Sequence, residues 1–195
     1  MPNNRQPKIL ILAGSTRTGS LNQQLADAYV AELATRDCEI TRITLADFPL
    51  PIINEDLEAE KGIPENAEKL ARLFDAHDAI VIVGPEYNGS LTPLLKNTID
   101  WVSRLIPESK GPWKPFKGKI CAIASASAGV FGGISSITHL RQILTRLGML
   151  VISEQFALGN ADTAFDDMGR LSRERDRPLF KEACASLIEK ATLLG

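Results

Sequence analysis

A stretch of glycines and hydroxyl residues follows the first apolar run of the chain. It reads "GSTRTGSLN", from Gly14 to Asn22, and comes directly after "KILILA". Two glycines five positions apart outline a nucleotide-phosphate loop, but the lysine that an NTPase places after the second glycine is missing. Arg17 offers a planar cation suited to phosphate oxygens, and a helix beginning after Ser20 would direct its N–H groups at the loop. These residues favour a tightly held monophosphate, and the alternative is a polar turn before a capped helix.

Two further loops are rich in small or polar residues. "GPEYNGSLTP" runs from Gly84 to Pro93, and "SASAGVFGG" runs from Ser125 to Gly133. The prolines stiffen the first of these, in which Asn88 can hydrogen-bond to a flat heteroaromatic ring. The glycines of the other allow a ligand or a neighbouring subunit to approach the backbone closely. Each loop taken alone is equally consistent with a structural turn.

Five runs rich in β-branched residues alternate with helical patterns and predict five strands. The first, third and fourth runs are almost continuously apolar, as central parallel strands covered on both faces should be. The second and fifth alternate more and suit positions nearer the edges. The predicted strands are Lys8–Gly14, Glu39–Leu45, Ala79–Gly84, Lys119–Ala126 and Leu150–Phe156.

Apolar spacing between these runs predicts five helices. They cover residues 21–35, 64–76, from Thr92-Pro93 onward, 135–147 and 178–194, while the polar residues 160–177 form a loop or surface turn. Ser20 and Gln23 have the spacing of a capping box at the start of the first helix.

The alternation of strands and helices predicts a single α/β domain over residues 1–195. Five strands match a doubly wound parallel sheet of flavodoxin-like order 2-1-3-4-5 with helices on both faces. In that order strands 1, 3 and 4 are adjacent, and ligands bind beyond their carboxyl ends. We therefore expect the three loops to converge on one site.

Composition narrows the classes of partner. A net charge of −2 over 195 residues favours neither DNA nor an anionic membrane. The three widely spaced cysteines, Cys38, Cys121 and Cys184, fit free thiols in a reducing cytoplasm better than a metal site or disulfides. The polar amino terminus shows no signal peptide, and no apolar run is long enough to cross a bilayer. We expect a cytoplasmic protein without a metal.

The three loops resemble, in order and spacing, the signature loops of the NADPH-dependent FMN reductase family. The resemblance extends from Lys8 to Phe156, and its most specific segment is "PEYNGSLTPLLKNTIDW". It implies that the first loop holds the FMN phosphate, that the second borders the isoalloxazine ring with backbone amides near its reactive edge, and that the third contacts the pyrimidine side or the ribityl chain. The residues so implied are Ser15, Arg17, Ser20, Leu21 and Asn22; Pro85, Glu86, Tyr87, Asn88 and Gly89; and Ser125 and Gly129.

The same resemblance implies an activity. Family members transfer hydride from NADPH or NADH through bound FMN to quinones, azo compounds, chromate or another flavin, and no side chain need act as a catalytic acid or base. Tyr87 would line a flat apolar site for quinones, and Trp101 would either join it or pack in the core. A homodimer or homotetramer is implied, although Val130 and Phe131 stand where many relatives carry a charged residue.

Two other functions remain open from the sequence. A flavodoxin-type electron carrier would bind FMN without reacting with nicotinamides, although its usual acidic character is missing. A serine hydrolase would use Ser127, which lies at the centre of "SASAG" after a strand. That second alternative lacks the expected glycine and the late histidine.

Overall fold

The almost continuously apolar runs form the centre of a parallel sheet. In the computed structural model, which describes residues 5–107 and 111–194, the central strands are β1 (Lys8–Ala13), β3 (Ala79–Val83) and β6 (Ile120–Ala126). Every residue of β3 and β6 is buried. Strands in this position are covered by helices on both faces, which is why their sequences do not alternate between apolar and polar residues.

The sheet has the predicted flavodoxin-like order. β2 (Glu39–Arg42) pairs with β1, β1 with β3, and β3 with β6, all in parallel. The fifth position, on the far side of β6, is shared by β7 (Leu150–Val151) and β8 (Phe156–Leu158). The two alternating runs therefore lie at the edges, as predicted.

The prediction of one continuous strand over Leu150–Phe156 is wrong. β7 pairs with the first residues of β6 and β8 with the last, and residues 152–155 between them leave the ladder. Arg141 occupies this break, because its guanidinium donates hydrogen bonds to the carbonyl groups of Val151 (3.2 Å) and Ile152 (2.8 Å). Carbonyls used in this way are satisfied without a neighbouring strand.

Six helices cover the sheet in the described residues. α1 and α6 pack on one face with the core around Ile9, Val81 and Ala122, whereas α3, α4 and α5 pack on the other with Leu10, Ile82 and Ile123. Their bounds are α1 Leu21–Leu33, α2 Glu55–Lys61, α3 Glu65–Ala76, α4 Pro93–Ser103, α5 Ile134–Arg146 and α6 Arg177–Leu194. Residues 160–176 form a loop with one 3-10 turn at Ala161–Thr163, as predicted.

α2 has no counterpart among the predicted helices. Its sequence, "EDLEAEK", is too short and too charged to show an apolar period. One local contact and one tertiary contact stabilise it. The side chain of Asn54 caps its N-terminus by accepting from the N–H of Asp56 at 2.8 Å, and the buried Glu58 forms a two-pronged ion pair with Arg104.

Between residues 5 and 107 and between 111 and 194, no helix is both long enough and apolar enough to cross a bilayer.

Candidate functional site

The three loops meet at the carboxyl ends of β1, β3 and β6. Because these strands are neighbours, the loops that follow them share one rim of the sheet, and all three contribute to a cavity of about 140 Å³. The lining residues are Ser15, Arg17, Ser20, Leu21, Asn22, Pro85, Glu86, Tyr87, Ala126 and Ser127. The predicted site residues Asn88, Gly89, Ser125 and Gly129 do not line it.

The start of α1 leaves hydrogen-bond donors open beside the cavity. Ser20 is the N-cap residue, but its side chain makes no capping hydrogen bond, and the side-chain amide of Gln23 turns to the carbonyl of Ser15. The predicted capping box is therefore wrong. As far as the structure describes the chain, the N–H groups of Leu21, Asn22 and Gln23 have no acceptor. Free N–H groups at the positive end of a helix are a site for an anion.

Among the described residues that line the cavity, Arg17 is the only cation. Its guanidinium is exposed and donates to the carbonyls of Thr18 (3.2 Å) and Gly19 (3.4 Å) within its own loop. No carboxylate of the described residues pairs with it. The charge is consequently available to a ligand, while the loop carbonyls keep it close to the start of α1.

Asn22 uses its side chain to connect the first and third loops. Its amide donates to the carbonyl of Ala126 at 2.8 Å, and its carbonyl oxygen accepts from the N–H of Ala126 at 2.9 Å. The residue is 5% exposed, so both bonds are shielded from water. The side chain is thus already engaged, and only the backbone N–H of Asn22 is open to a ligand.

The second loop is a β-hairpin that the sequence analysis did not predict. β4 (Glu86–Tyr87) and β5 (Ser90–Leu91) pair antiparallel around Asn88 and Gly89, whose φ angles are +51° and +77°. Two consecutive positive φ angles define a type I′ turn, for which Asn-Gly is the preferred sequence. The Asn88-Gly89 dipeptide is therefore a local sequence signal for this hairpin. It places Tyr87, 56% exposed, at the rim of the cavity.

Four hydrogen bonds fix this hairpin to α5. The Glu86 carboxylate accepts from the N–H groups of Ser135 (3.0 Å) and Ser136 (3.2 Å), in the first turn of α5. The Ser136 hydroxyl donates to the carbonyl of Pro85 at 3.0 Å, and His139 lies 3.0 Å from the Ser90 hydroxyl. The base and the far strand of the hairpin are therefore both held.

The first and second loops are also joined. The Thr92 hydroxyl donates to the carbonyl of Gly14 at 2.7 Å and accepts from the N–H of Leu95, so that it caps α4 at the same time. The first loop is therefore hydrogen-bonded to both of the others, while the second loop is hydrogen-bonded to α5, which follows the third.

In the third loop, the cavity is lined by neighbours of the two predicted residues, Ser125 and Gly129. Ser125 is fully buried, its hydroxyl has no partner among the described residues, and it occupies the space beside Gly133. Ala126 and Ser127 line the cavity instead. The Ser127 hydroxyl accepts from the N–H of Gly129 at 3.1 Å. The sequence around Ser127 suggests only a hydrolase nucleophile and carries no signal for its place in the cavity lining.

No histidine supports a nucleophilic role for Ser127. His77 is bound to the Leu73 carbonyl and the Thr41 hydroxyl, and His139 contacts Ser90. Both histidines of the sequence are therefore engaged elsewhere. A serine hydrolase needs a base within hydrogen-bond reach of its nucleophile, and this arrangement does not supply one.

Trp101 lies in the core and not at the cavity. It is 0% exposed, and its indole N–H donates to the carbonyl of Pro51 at 2.8 Å. Of the two aromatic residues considered for a flat apolar site, only Tyr87 is at the rim.

A larger cavity, of about 430 Å³, lies between α1 and α6, away from the three loops. It is a surface groove of mixed charge, with Glu32 and Asp166 among its lining residues as well as Arg170 and Lys181. Volume alone would favour it, but it has neither the open helix N-terminus nor the converging strand ends that bind ligands in this fold.

Comparison with known families agrees with the loop geometry. Residues 7–163 match the family model described as NADPH-dependent FMN reductase, and this range contains all three loops. The chain belongs to that family. The resemblance carried by the loop residues is thereby confirmed.

Several proteins similar to this chain are redox enzymes. The chain is 36% identical over 182 residues to an NAD(P)H-dependent FMN reductase of Pseudomonas aeruginosa, an alignment covering 92% of each chain. It is 38% identical over 153 residues to a quinone reductase of Escherichia coli, covering 78% of this chain and 77% of the relative. Among solved structures, the flavoenzyme NAD(P)H:(acceptor) oxidoreductase FerB of Paracoccus denitrificans is similar with a TM-score of 0.78 and 28% identity, over 95% of this chain and 98% of that one.

Proposed function

We propose that residues 1–195 form one FMN-binding domain that holds the FMN phosphate at the first loop and the start of α1. The protein is an NAD(P)H-dependent oxidoreductase of the FMN reductase family that acts on quinones. The single observation that carries the site assignment is the row of unpartnered N–H groups at Leu21, Asn22 and Gln23, beside a cavity shared by all three loops.

The charges around the cavity fit a phosphate. Arg17 and the uncapped N-terminus of α1 provide positive potential, and the hydroxyls of Ser15 and Ser20 add donors. Glu86 is the one carboxylate among the lining residues, and its charge is directed to the N-terminus of α5. A phosphate in the cavity would therefore meet donors with little opposing negative charge.

The cavity accommodates the phosphate end of FMN, and its rim suits the ring. A volume of about 140 Å³ is small for the whole cofactor, so the ring system would lie against the rim near Tyr87. The N–H groups of Asn88 and Gly89 have no acceptor in the described residues and are available to the ring edge. In the third loop the same holds for the N–H groups of Ala128 and Val130, which suit negative charge on a reduced ring.

When bound, FMN would supply the redox chemistry between a reduced nicotinamide and the acceptor. The side chains of this protein bind and orient; within the cavity lining we assign none of them as an acid or base. Tyr87 at the rim and Val130 and Phe131 in the third loop, 68% and 79% exposed, are apolar side chains that we propose form an acceptor surface. Such a surface suits quinones, and we extend the proposal to azo compounds, chromate and free flavin as further acceptors.

A homodimer or homotetramer is part of the proposal. The apolar side chains of Val130 and Phe131 in the third loop are exposed, and a second copy of the chain would cover them. The three cysteines are free, which agrees with a reducing compartment such as the cytoplasm.

The test uses the purified full chain. We expect it to bind FMN, to lose the yellow colour when NADPH or NADH is added without oxygen, and to regain it when a quinone follows. A yellow protein that reacts with neither nicotinamide would instead be an electron carrier. A colourless protein that does not bind FMN but cleaves nitrophenyl esters would reinstate the hydrolase.

A further inference from the structure

The N-terminus of α5 lacks a capping residue of its own. Its N-cap position is occupied by Gly133, which has no side chain to accept a hydrogen bond. Ser125 lies against this glycine but its hydroxyl makes no hydrogen bond within the described chain. The first-turn N–H groups of a helix need an acceptor when they are not exposed to water.

Glu86 supplies that acceptor from a different part of the chain. Its Oε2 accepts from the N–H groups of both Ser135 and Ser136, 49 and 50 residues further along the sequence. Hydrogen bonds from backbone N–H groups to a carboxylate are stronger than neutral ones, and the positive end of the α5 dipole adds to the attraction. Ser136 returns a hydrogen bond to the carbonyl of Pro85, so the contact is reciprocal.

This contact helps to determine where the hairpin lies. β4 begins at Glu86, and its partner strand β5 is reached through the tight turn at Asn88 and Gly89. A two-residue I′ turn leaves little freedom within the hairpin, so its orientation relative to the cavity depends on how its base is attached. Glu86 and Pro85 are that base, and both also line the cavity.

We propose that Glu86 is a positioning residue for the flavin site: by capping α5 from the second loop, it fixes the hairpin and the third loop in one arrangement. The proposal rests on the proposed function, since it concerns the site where FMN binds. In this role the carboxylate acts through α5 and the hairpin and need not touch the reacting atoms.

The test compares three variants with the unmodified full chain. Glu86→Ala removes the acceptor, and Glu86→Gln retains a neutral acceptor of the same shape. Asn54→Ala is the matched control, because Asn54 caps α2 by the same type of contact and does not line the cavity. The measurements are the FMN dissociation constant by fluorescence quenching, amide hydrogen exchange of residues 86–91 without FMN, and kcat and KM at saturating FMN.

We expect Glu86→Ala to weaken FMN binding by up to about tenfold, because FMN must then order a hairpin that has lost one charge-assisted contact. Exchange in the hairpin should be faster, kcat at saturating FMN should fall, and Glu86→Gln should recover part of each change. Asn54→Ala should lower the thermal midpoint without altering either hairpin exchange or FMN binding.

Two outcomes would overturn the proposal. One is an FMN dissociation constant and hairpin exchange in Glu86→Ala equal to those of the unmodified chain. The other is an equal change in all three variants, which would mean that Glu86 only stabilises the fold. Failure of the proposed function would look different, because the unmodified chain itself would not bind FMN.

Discussion

Asn22 and Ala126 exchange two hydrogen bonds although they are 104 residues apart in the sequence. Asn22 lies in the first turn of α1, and Ala126 is the last residue of β6. Both hydrogen bonds lie in a site shielded from water. The geometry of the cavity therefore depends on an amide side chain that need not contact the ligand.

Replacing Asn22 by alanine should damage both stability and cofactor binding. The change leaves the N–H and C=O of Ala126 buried without partners, and we expect the free energy of unfolding to fall by about 2–4 kcal/mol. FMN should bind less tightly because the third loop is no longer held to the start of α1. Chemical denaturation measures the first effect and FMN titration the second.

Asn97 provides the matched control for that prediction. It is 9% exposed and also makes two amide contacts, accepting from the N–H of Ile53 (2.8 Å) and donating to the carbonyl of Pro51 (2.9 Å), but it does not line the cavity. Asn97→Ala should lose comparable stability and keep its FMN affinity. Equal weakening of FMN binding in both variants would contradict a specific role for Asn22.

Arg17→Ala should weaken FMN retention and leave the fold intact. The guanidinium makes contacts only within its own exposed loop, so its removal costs little stability. The loss of one charge-assisted contact to the phosphate corresponds to about 1.5–3 kcal/mol, or at least about tenfold in affinity. Arg175→Ala is the control, because Arg175 is 70% exposed and does not line the cavity. Unchanged FMN affinity in Arg17→Ala would refute the phosphate assignment.

The sheet order and the convergence of the loops could be predicted because local patterns determine them. Continuous apolar runs identify β1, β3 and β6 as central, and the winding rule then places the loops that follow them together. The break in the fifth strand could not be predicted, since it depends on Arg141 satisfying carbonyls from another element.

Within the candidate site, residue types could be predicted better than residue roles. The side chains of Asn22 and Glu86 have structural roles that the sequence does not indicate, because that of Asn22 binds the backbone of Ala126 and that of Glu86 caps α5. These roles depend on contacts between residues that are 104 and 49 positions apart, and the local spacing of residues in the sequence does not reveal such contacts. Ser127 was missed as a lining residue for the same reason, whereas the Asn88-Gly89 hairpin had a local signal that was overlooked.

The three thiols should react very differently with a thiol reagent. Burial raises the pKa of Cys184 to about 12 and raises the pKa of Cys121 further, so neither forms thiolate near neutral pH in the folded chain. Desolvation also raises the pKa of the partly exposed Cys38, although less strongly. At pH 8 we expect the folded protein to react slowly at Cys38 alone, and all three thiols to react in denaturant. Rapid labelling of Cys121 or Cys184 in the folded state would show that the core opens.

Gly133→Ala should destabilise the junction between the third loop and α5. A Cβ at Gly133 would lie 2.0 Å from the Ser125 hydroxyl oxygen and 2.8 Å from its Cβ, and the φ of +81° is itself unfavourable for alanine. We expect a loss of about 2–4 kcal/mol, from overpacking together with backbone strain.

Gly169→Ala measures the backbone strain alone, because Gly169 has a φ of +73° but no atom within 4 Å of the Cβ that alanine would add. This variant should lose only about 1 kcal/mol of stability. Combining Gly133→Ala with Ser125→Gly removes both clashing atoms, so the double variant should be more stable than the sum of the single losses by about 1 kcal/mol or more. Additive losses in denaturant unfolding would mean that backbone strain at Gly133, and not its contact with Ser125, is what excludes a side chain there.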